Sequence, residues 1–357
     1  MQGRAQRGFG MSDLVIAAGG GGDPLGATIA AHTITSDTGP PLIATYAWER
    51  PEVDPTPGPL GRADFTGLGQ DPAGSVFTPA SAAVAPAGST LPALAETLPA
   101  RLLMLDPTQG LTSLARQIEG MAAAAGGRVR IVDIGGDILT HGDEETLCSP
   151  LVDAYTMAAC HLAGVSATVY LAGPGTDGEI PQETLLERLA GRYLTPDTHA
   201  VGQAAAALRW HPSEASALFA AAVNGARGTV RTVVRTIPLT DASARIYYLS
   251  LPEAIDRNPI AQALLDHRPA PLEEAADLSH KLTGIHEIDR ERKRPARAMT
   301  CTVPTDRHRA LRNIRAAADG ADHTTLRFAA RTLGLTWADI PALRDLLNAF
   351  GPLLPLT

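Results

Sequence analysis

Lysine is nearly missing from this chain. Of its 30 basic residues, only Lys281 and Lys293 are lysines. No lysine follows the glycine-rich segment near the start, which excludes a P-loop, whose lysine must reach the phosphates. A catalytic lysine ahead of Lys281 is excluded with it. Basic charge as a whole is in deficit. The 30 Lys and Arg stand against 38 Asp and Glu, a net charge of −8, whereas a nucleic-acid binder shows a basic excess. Nucleic acid is therefore not an expected partner. Cysteine is scarce as well: Cys148, Cys160 and Cys301 form an odd, scattered trio. That is neither a disulfide framework nor a zinc cluster, and it suits a reducing, cytoplasmic setting. Neither HExxH nor CxxC occurs. Long apolar runs are missing too. The longest uncharged stretch, Gly74 to Ala95, is interrupted by Pro79, Pro86 and Pro92 and is too polar to span a bilayer. Leu14 to Ala18 is apolar but runs straight into glycines, which marks a buried strand rather than a signal-peptide core. No membrane association is expected.

What the chain does have is core-forming material. Apolar residues make up 45% and charged residues 19%, ample for a packed interior. At about 150 residues per domain, the length allows two domains or one large α/β domain with an appendage. Residues 1–11 read as a disordered leader, 12–288 as the α/β domain and 289–357 as a helical C-terminal appendage, with the basic run 289–297 at the junction. Strand and helix alternate through the first part. Strands are predicted at 13–18, 42–48 and 101–106, at 128–137 running into a loop and at 166–175 together with its loop, and helices at 24–34, 111–125, 149–163 and 181–193. Residues 50–75, dense in Pro, Gly and Asp, read as a long loop or lid. After residue 200 the pattern becomes more helical, with 244–251 the clearest late strand. This alternation predicts a Rossmann-like, doubly wound, mostly parallel sheet, whose continuous apolar strands suit burial on both faces.

The most informative feature is a recurrence of glycine next to aspartate at strand ends. Gly19-Gly20-Gly21-Gly22-Asp23 follows the first strand, with Gly26 a turn later. Asp133-Ile134-Gly135-Gly136-Asp137 ends a central strand. Gly173-Pro174-Gly175-Thr176-Asp177-Gly178-Glu179 follows another. In a parallel sheet these loops share the carboxyl edge, where open α/β sheets bind ligands. Glycines let a ligand approach the backbone, and a helix N-terminus attracts anions. Gly19 to Gly22, Gly26, Gly135, Gly136, Gly173 and Gly175 are the candidate phosphate cradle, joined by Asp23 and Asp133. Carboxylates beside such a loop suit Mg²⁺, which takes one or two carboxylates plus substrate phosphates. Asp23 and Asp137 are the candidate metal ligands. Asp137, Asp177, Glu179 and His141 are the candidate catalytic groups, with His141 as a proton carrier. Each Gly-Asp could equally be a turn or a helix cap, but three at one edge argue for a site. The spacing G-x-G-x-x-G is not met, so an ordinary NAD site is disfavoured.

Gly20-Gly21-Gly22-Asp23-Pro24-Leu25-Gly26-Ala27, followed later by Gly135-Gly136-Asp137, resembles the glycine loop and the Mg²⁺-binding Gly-Gly-Asp of the phosphofructokinase family. That likeness covers about a tenth of the chain and lacks the family's Thr-Ile-Asp-Asn-Asp segment, so it is one of site physics. A fuller resemblance is to the family known as domain of unknown function 1152. It is carried by Gly19 to Asp23 with Gly26-Ala27, by Asp133 to Asp137 with Gly142-Asp143-Glu144, by Ser149-Pro150 and Asp153-Ala154, and by Gly173-Pro174-Gly175 with Asp177-Gly178-Glu179. This resemblance implies a Rossmann-like protein and brings no reaction with it.

Other constellations carry less. Cys160 sits in an apolar helix, and Cys148 follows an acidic run that blunts a thiol. Asp106 precedes a proline, as helix starts often do. Glu183, Glu187 and Arg188 read as a solvated helix face. Ala330, Gly334 and Ile340 have helix-turn-helix spacing, but the second helix carries Asp339, Pro341 and Asp345, poor company for phosphates. The expectation is an enzyme acting on a nucleotide such as ATP, or on another phosphorylated or anionic small molecule, by Mg²⁺-dependent phosphoryl or nucleotidyl transfer. Two alternatives stand beside it: a metal-free hydrolase or transferase using paired carboxylates on a nucleoside-like substrate, and a non-enzymatic sensor or scaffold whose site regulates the tail. Self-association is left open.

Overall fold

The computed structural model describes residues 12–36, 39–189, 191–293 and 302–356. The expected leader, 1–11, lies outside the described residues, as does the basic run from 294 to 297. The α/β core runs β1 (Leu14–Ala17), α1 (Asp23–Ile34), β2 (Leu42–Tyr46), β3 (Arg101–Leu105), α2 (Leu111–Ala125), β4 (Arg128–Ile134), α3 (Leu151–Leu162), β5 (Ser166–Ala172), α4 (Glu214–Val223) and β6 (Ile246–Ser250). The strands β5-β4-β1-β2-β3 lie side by side and parallel. β6 joins antiparallel beside β5. Read from β3, the order is 3-2-1-4-5-6, the Rossmann order, whose direction reverses between β1 and β4.

The sequence folds this way because the central strands are apolar on both sides. Every residue of β1 and β2 is buried. Alternate residues then feed opposite cores, as the period of two requires. Leu14, Ile16, Ala44, Tyr46 and Leu105 pack with Leu114 and Ile118 of α2 and with Tyr155 and Met157 of α3. Val15, Ala17, Ile43, Met104 and Val132 pack with Leu25, Ala27 and Ile29 of α1 and with Phe219 of α4. A Leu or Ile so buried contributes roughly 1.5–3 kcal/mol, so these strands are the least yielding part of the molecule.

The segment read as a lid is only partly irregular. Gly69–Asp71 and Gly74–Val76 form a hairpin that extends the sheet past β3, and the short strand Tyr193–Leu194 adds to its other edge beside β6, giving nine strands in all. The largest departure from the sequence reading is a second, four-stranded sheet. It is built from Gly228–Arg231, Thr236–Leu239, His323–Thr325 and Leu353–Pro355. Two of its strands precede the C-terminal helices and two lie among them, so the tail is hydrogen-bonded to the α/β part through Val230 and Arg231. The tail's own helices, Arg307–Ala317, Leu326–Thr332 and Ile340–Leu347, enclose a separate small core around Ile314, Ala329 and Leu343.

Candidate functional site

The reversal between β1 and β4 opens the carboxyl edge of the sheet at the glycine loop. There α1 begins at Asp23, whose carboxylate does not cap its own helix. It turns back and accepts the Gly19 N–H at 2.9 Å. Only glycine permits this, since a Cβ on Gly19 would stand 2.5 Å from Asp23 Oδ2. β4 delivers Asp133 at its end, 1% exposed. α3 delivers Asp153, also 1% exposed and the one charged residue in its first three turns. One carboxylate oxygen each from Asp23, Asp133 and Asp153 lie within 4.8 Å of one another. That matches the ligand shell of a small hard cation, about 4.2 Å across for Mg²⁺ and about 4.8 Å for Ca²⁺.

The surroundings make the trio unusual. Asp133 Oδ2 and Asp153 Oδ1 are buried and have no hydrogen-bond partner. Buried carboxylate oxygens are normally satisfied, because each orphan costs on the order of 1–3 kcal/mol or more. Two further carboxylates crowd in. Asp137, at the start of a short 3-10 turn, lies within hydrogen-bonding reach of Asp133. Asp177 Oδ1 accepts the Glu179 N–H at 2.9 Å while its Oδ2 is another buried orphan. Gly135 makes room for Asp177: a Cβ there would lie 2.3 Å from its Cγ, and the Gly135 φ of +128° suits no other residue.

Burial and mutual repulsion raise these acids together. Desolvation pushes Asp23 up to about 7, with Glu179 adding to it. Desolvation and the neighbouring Glu179 push Asp177 up to about 8. Asp133, Asp137 and Asp153 are likewise driven well above the carboxylate range, by desolvation first and by neighbouring carboxylates second. Three buried and two half-buried carboxyls so close together resist ionising at the same time.

The remaining predicted residues fall into supporting places. Glu179 is fully engaged: Oε2 accepts the Cys148 and Ser149 N–H groups, and Oε1 accepts the Ser149 hydroxyl. It braces the segment entering α3 and adds negative charge to the cleft. Gly136 fits under Leu185, Gly22 against Ser213, and Gly26 against Ile134, which sets α1 close upon β4. Gly175 donates to the Gly135 carbonyl, which ties the β4 and β5 loops together, and Gly173 donates to that of Arg245 just ahead of β6. Gly20 and Gly21 pass under Trp48. His141 is exposed, on a turn whose backbone N–H donates to Glu144. Glu144 also accepts from Thr140, from Gly142 and from Arg188. Although burial opposes it, these bonds hold its carboxyl down to about 2. Arg188 is thus part of a partly buried ion pair rather than of a solvated face. Asp106 caps Thr108 and accepts the Arg62 N–H. Cys160 is buried, which raises its thiol.

Two residues of the site were missed in the sequence. Asp153 had one signal, an isolated carboxylate in an otherwise apolar helix. Arg50 had none that set it apart within its Pro-rich loop. Its side chain reaches solvent, yet Asp23, Asp137, Glu179, Glu287 and Glu291 act on it or it on them. Desolvation alone would lower its guanidinium, and the surrounding carboxylates outweigh that and raise it. Arg50 is thus an exposed arginine on the loop after β2, held next to this group of acids by its bond to Ser149. The helix Glu287–Arg292, here α5, lies against the same loop. Glu287 accepts the Leu151 N–H, and Glu291 accepts from Trp48 Nε1 and the Gly58 N–H.

Fold and site together define the class: a Rossmann-type α/β protein with a buried acidic cluster at the switch point of its sheet. The family described as "Protein of unknown function (DUF1152)" matches residues 14–295, and the chain belongs to it. The matched span covers the whole α/β core and α5. No curated protein and no solved structure matches the chain.

Proposed function

We propose that this protein is an enzyme that binds a divalent cation, Mg²⁺ by the chemistry of its donors, and acts on a nucleotide or other phosphorylated small molecule. One observation carries the reading. Three carboxylates from three separate elements converge within 4.8 Å at the switch point, and two of them present buried oxygens that nothing else satisfies. An all-oxygen donor set without His or Cys suits Mg²⁺, Mn²⁺ or Ca²⁺ rather than Zn²⁺. Asp23, Asp133 and Asp153 would hold the cation. When bound, it supplies positive charge to neutralise phosphate oxygens, the main requirement of phosphoryl or nucleotidyl transfer.

The chain's own groups would do the rest. The Gly19–Gly22 backbone would lie along the ligand. Asp137 and Asp177 flank the cation carboxylates without belonging to the trio. Asp177, raised to about 8, would be the general base for an attacking hydroxyl once neighbouring positive charge favours its ionised form. The raised acids also favour one second reading, metal-free acid–base catalysis on a nucleoside-like substrate.

The experiment is a thermal-shift screen of the full chain against nucleotides, nucleosides and sugar phosphates, with and without Mg²⁺. A ligand at roughly 100 times its dissociation constant stabilises a fold by about 2.7 kcal/mol. Hits that need Mg²⁺ and vanish in Asp133→Asn support the cation reading. Nucleoside hits indifferent to Mg²⁺ and EDTA would replace it with the acid–base reading.

A further inference from the structure

We infer that Arg50 is the anion anchor of this cleft: its guanidinium takes phosphate oxygens of the same ligand whose other oxygens face the cation held by Asp23, Asp133 and Asp153. The inference rests on the cation-dependent reading and narrows its ligand to a compound with a di- or triphosphate-like group, long enough to touch both.

The geometry is specific. Arg50 follows β2, on the side of the switch point opposite β4. Its loop lies directly over the glycine turn, where a Cβ on Gly21 would stand 3.1 Å from the Trp48 carbonyl oxygen. The guanidinium donates one hydrogen bond, from Nη2 to Ser149 Oγ at 3.2 Å. Among the described residues it makes no ion pair, although four carboxylates surround it. Three of those carboxylates are turned to other donors. Both oxygens of Glu179 are taken by residues 148 and 149, both of Glu291 by Trp48 and Gly58, and Glu287 Oε2 by Leu151. An arginine has five N–H donors in a planar fork, so among the described residues most of this fork is left without a protein acceptor. A guanidinium kept charged, reaching solvent and denied a carboxylate is set to receive an oxyanion, which it binds bidentately.

The anchor also answers an electrostatic problem. The cleft carries far more acid than base, and alone it would repel phosphate. A divalent cation on the trio and Arg50 on the β2 loop give two positive points for a polyphosphate to bridge.

The test uses the full chain, Mg²⁺ alone and inorganic pyrophosphate, each followed by calorimetry. Arg50→Gln should bind pyrophosphate at least tenfold more weakly in the presence of Mg²⁺. It should bind Mg²⁺ itself as well as the wild type or several-fold more tightly, because a cation next to the carboxylates has gone. Arg50→Lys should fall between, since it keeps the charge and loses the fork. Changes of opposite sign for cation and anion cannot come from unfolding. Unchanged pyrophosphate affinity in Arg50→Gln, or no pyrophosphate binding by Mg²⁺-loaded wild type, overturns the anchor and leaves the cation reading standing. Pyrophosphate held without Mg²⁺ and lost in Arg50→Gln would keep the anchor and contradict the cation reading. Wild-type protein that binds neither overturns both.

Discussion

At the scale of single residues, the site rests on a conflict between stability and charge. Asp133 and Asp153 carry orphaned oxygens in a buried, like-charged setting, so each costs the metal-free fold something. Replacing Asp133 by Asn keeps the shape and removes a charge. The metal-free variant should melt higher than wild type, and a gain of about 1 kcal/mol moves the midpoint by roughly 2 °C at this chain length. The same variant should lose any stabilisation by Mg²⁺. Calorimetric melts with EDTA and with Mg²⁺ check both halves. Gly135→Ala tests the fit around Asp177. Its Cβ would sit 2.3 Å from Asp177 Cγ at a φ of +128°, so it should destabilise by about 1–3 kcal/mol and abolish ligand-induced shifts. Asp153 shows why this scale is the hardest to read from sequence. It is the third residue of an apolar helix, and nothing local says that its neighbours in space come from residues 23 and 133. Glu179 errs in the other direction: its motif placed it in the cleft, but the Ser149 and Cys148 donors that occupy it are long-range partners.

At the scale of elements, the strands and helices of the first half were legible because their apolar runs are continuous and their ends are marked by Gly, Pro and Asp. The second sheet was not. Its strands are three or four residues long and half polar, such as Gly228–Arg231 and His323–Thr325, and the pairing that joins its two halves spans about 90 residues of sequence. That pairing brings the tail to the site loop. Trp337 Nε1 donates to the Glu52 carbonyl, and Arg327 pairs with the Glu52 carboxylate at 3.0 Å, two residues from Arg50. The helix with helix-turn-helix spacing is docked in the same way: Arg344, 4% exposed, donates to the Leu208 carbonyl, and Asp345 pairs with Arg209. The tail is thus a clamp on the loop that carries Arg50. Arg327→Ala combined with Trp337→Ala should raise amide exchange across residues 50–56 while β1 and β4 stay protected. Exchange in that loop equal to wild type would show that α5, through Glu291, holds it alone.

At the scale of the whole molecule, the buried acids make stability depend on pH. Asp23 at about 7 and Asp177 at about 8 lie above the ordinary carboxylate value near 3.8. The folded state therefore holds protons that the unfolded chain has already released. Their contribution is fully present below about pH 4 and is lost as pH rises towards 8. Metal-free protein should gain stability from these groups on going from pH 8 to pH 6. With Mg²⁺ the dependence should flatten or reverse, because cation binding needs the carboxylates ionised and releases protons. Melting curves across that range, with and without Mg²⁺, read this directly. The same scale explains what could be read in advance. Strand order brings the glycine–aspartate loops to one edge, and the alternation of strand and helix already implied that edge. The identity of the third carboxylate and the position of Arg50 depend on packing between α3, α5 and the β2 loop, which no local pattern encodes.

The central claim is that Asp23, Asp133 and Asp153 form a cation site. Direct titration of the full chain with Mn²⁺, followed by electron paramagnetic resonance, tests it most plainly. The account predicts one bound ion per chain, displaced by Mg²⁺, with binding lost in Asp153→Asn while that variant still melts cooperatively. Wild-type protein that leaves Mn²⁺ free in solution, or an Asp153→Asn variant that binds it as tightly as wild type, would contradict the account.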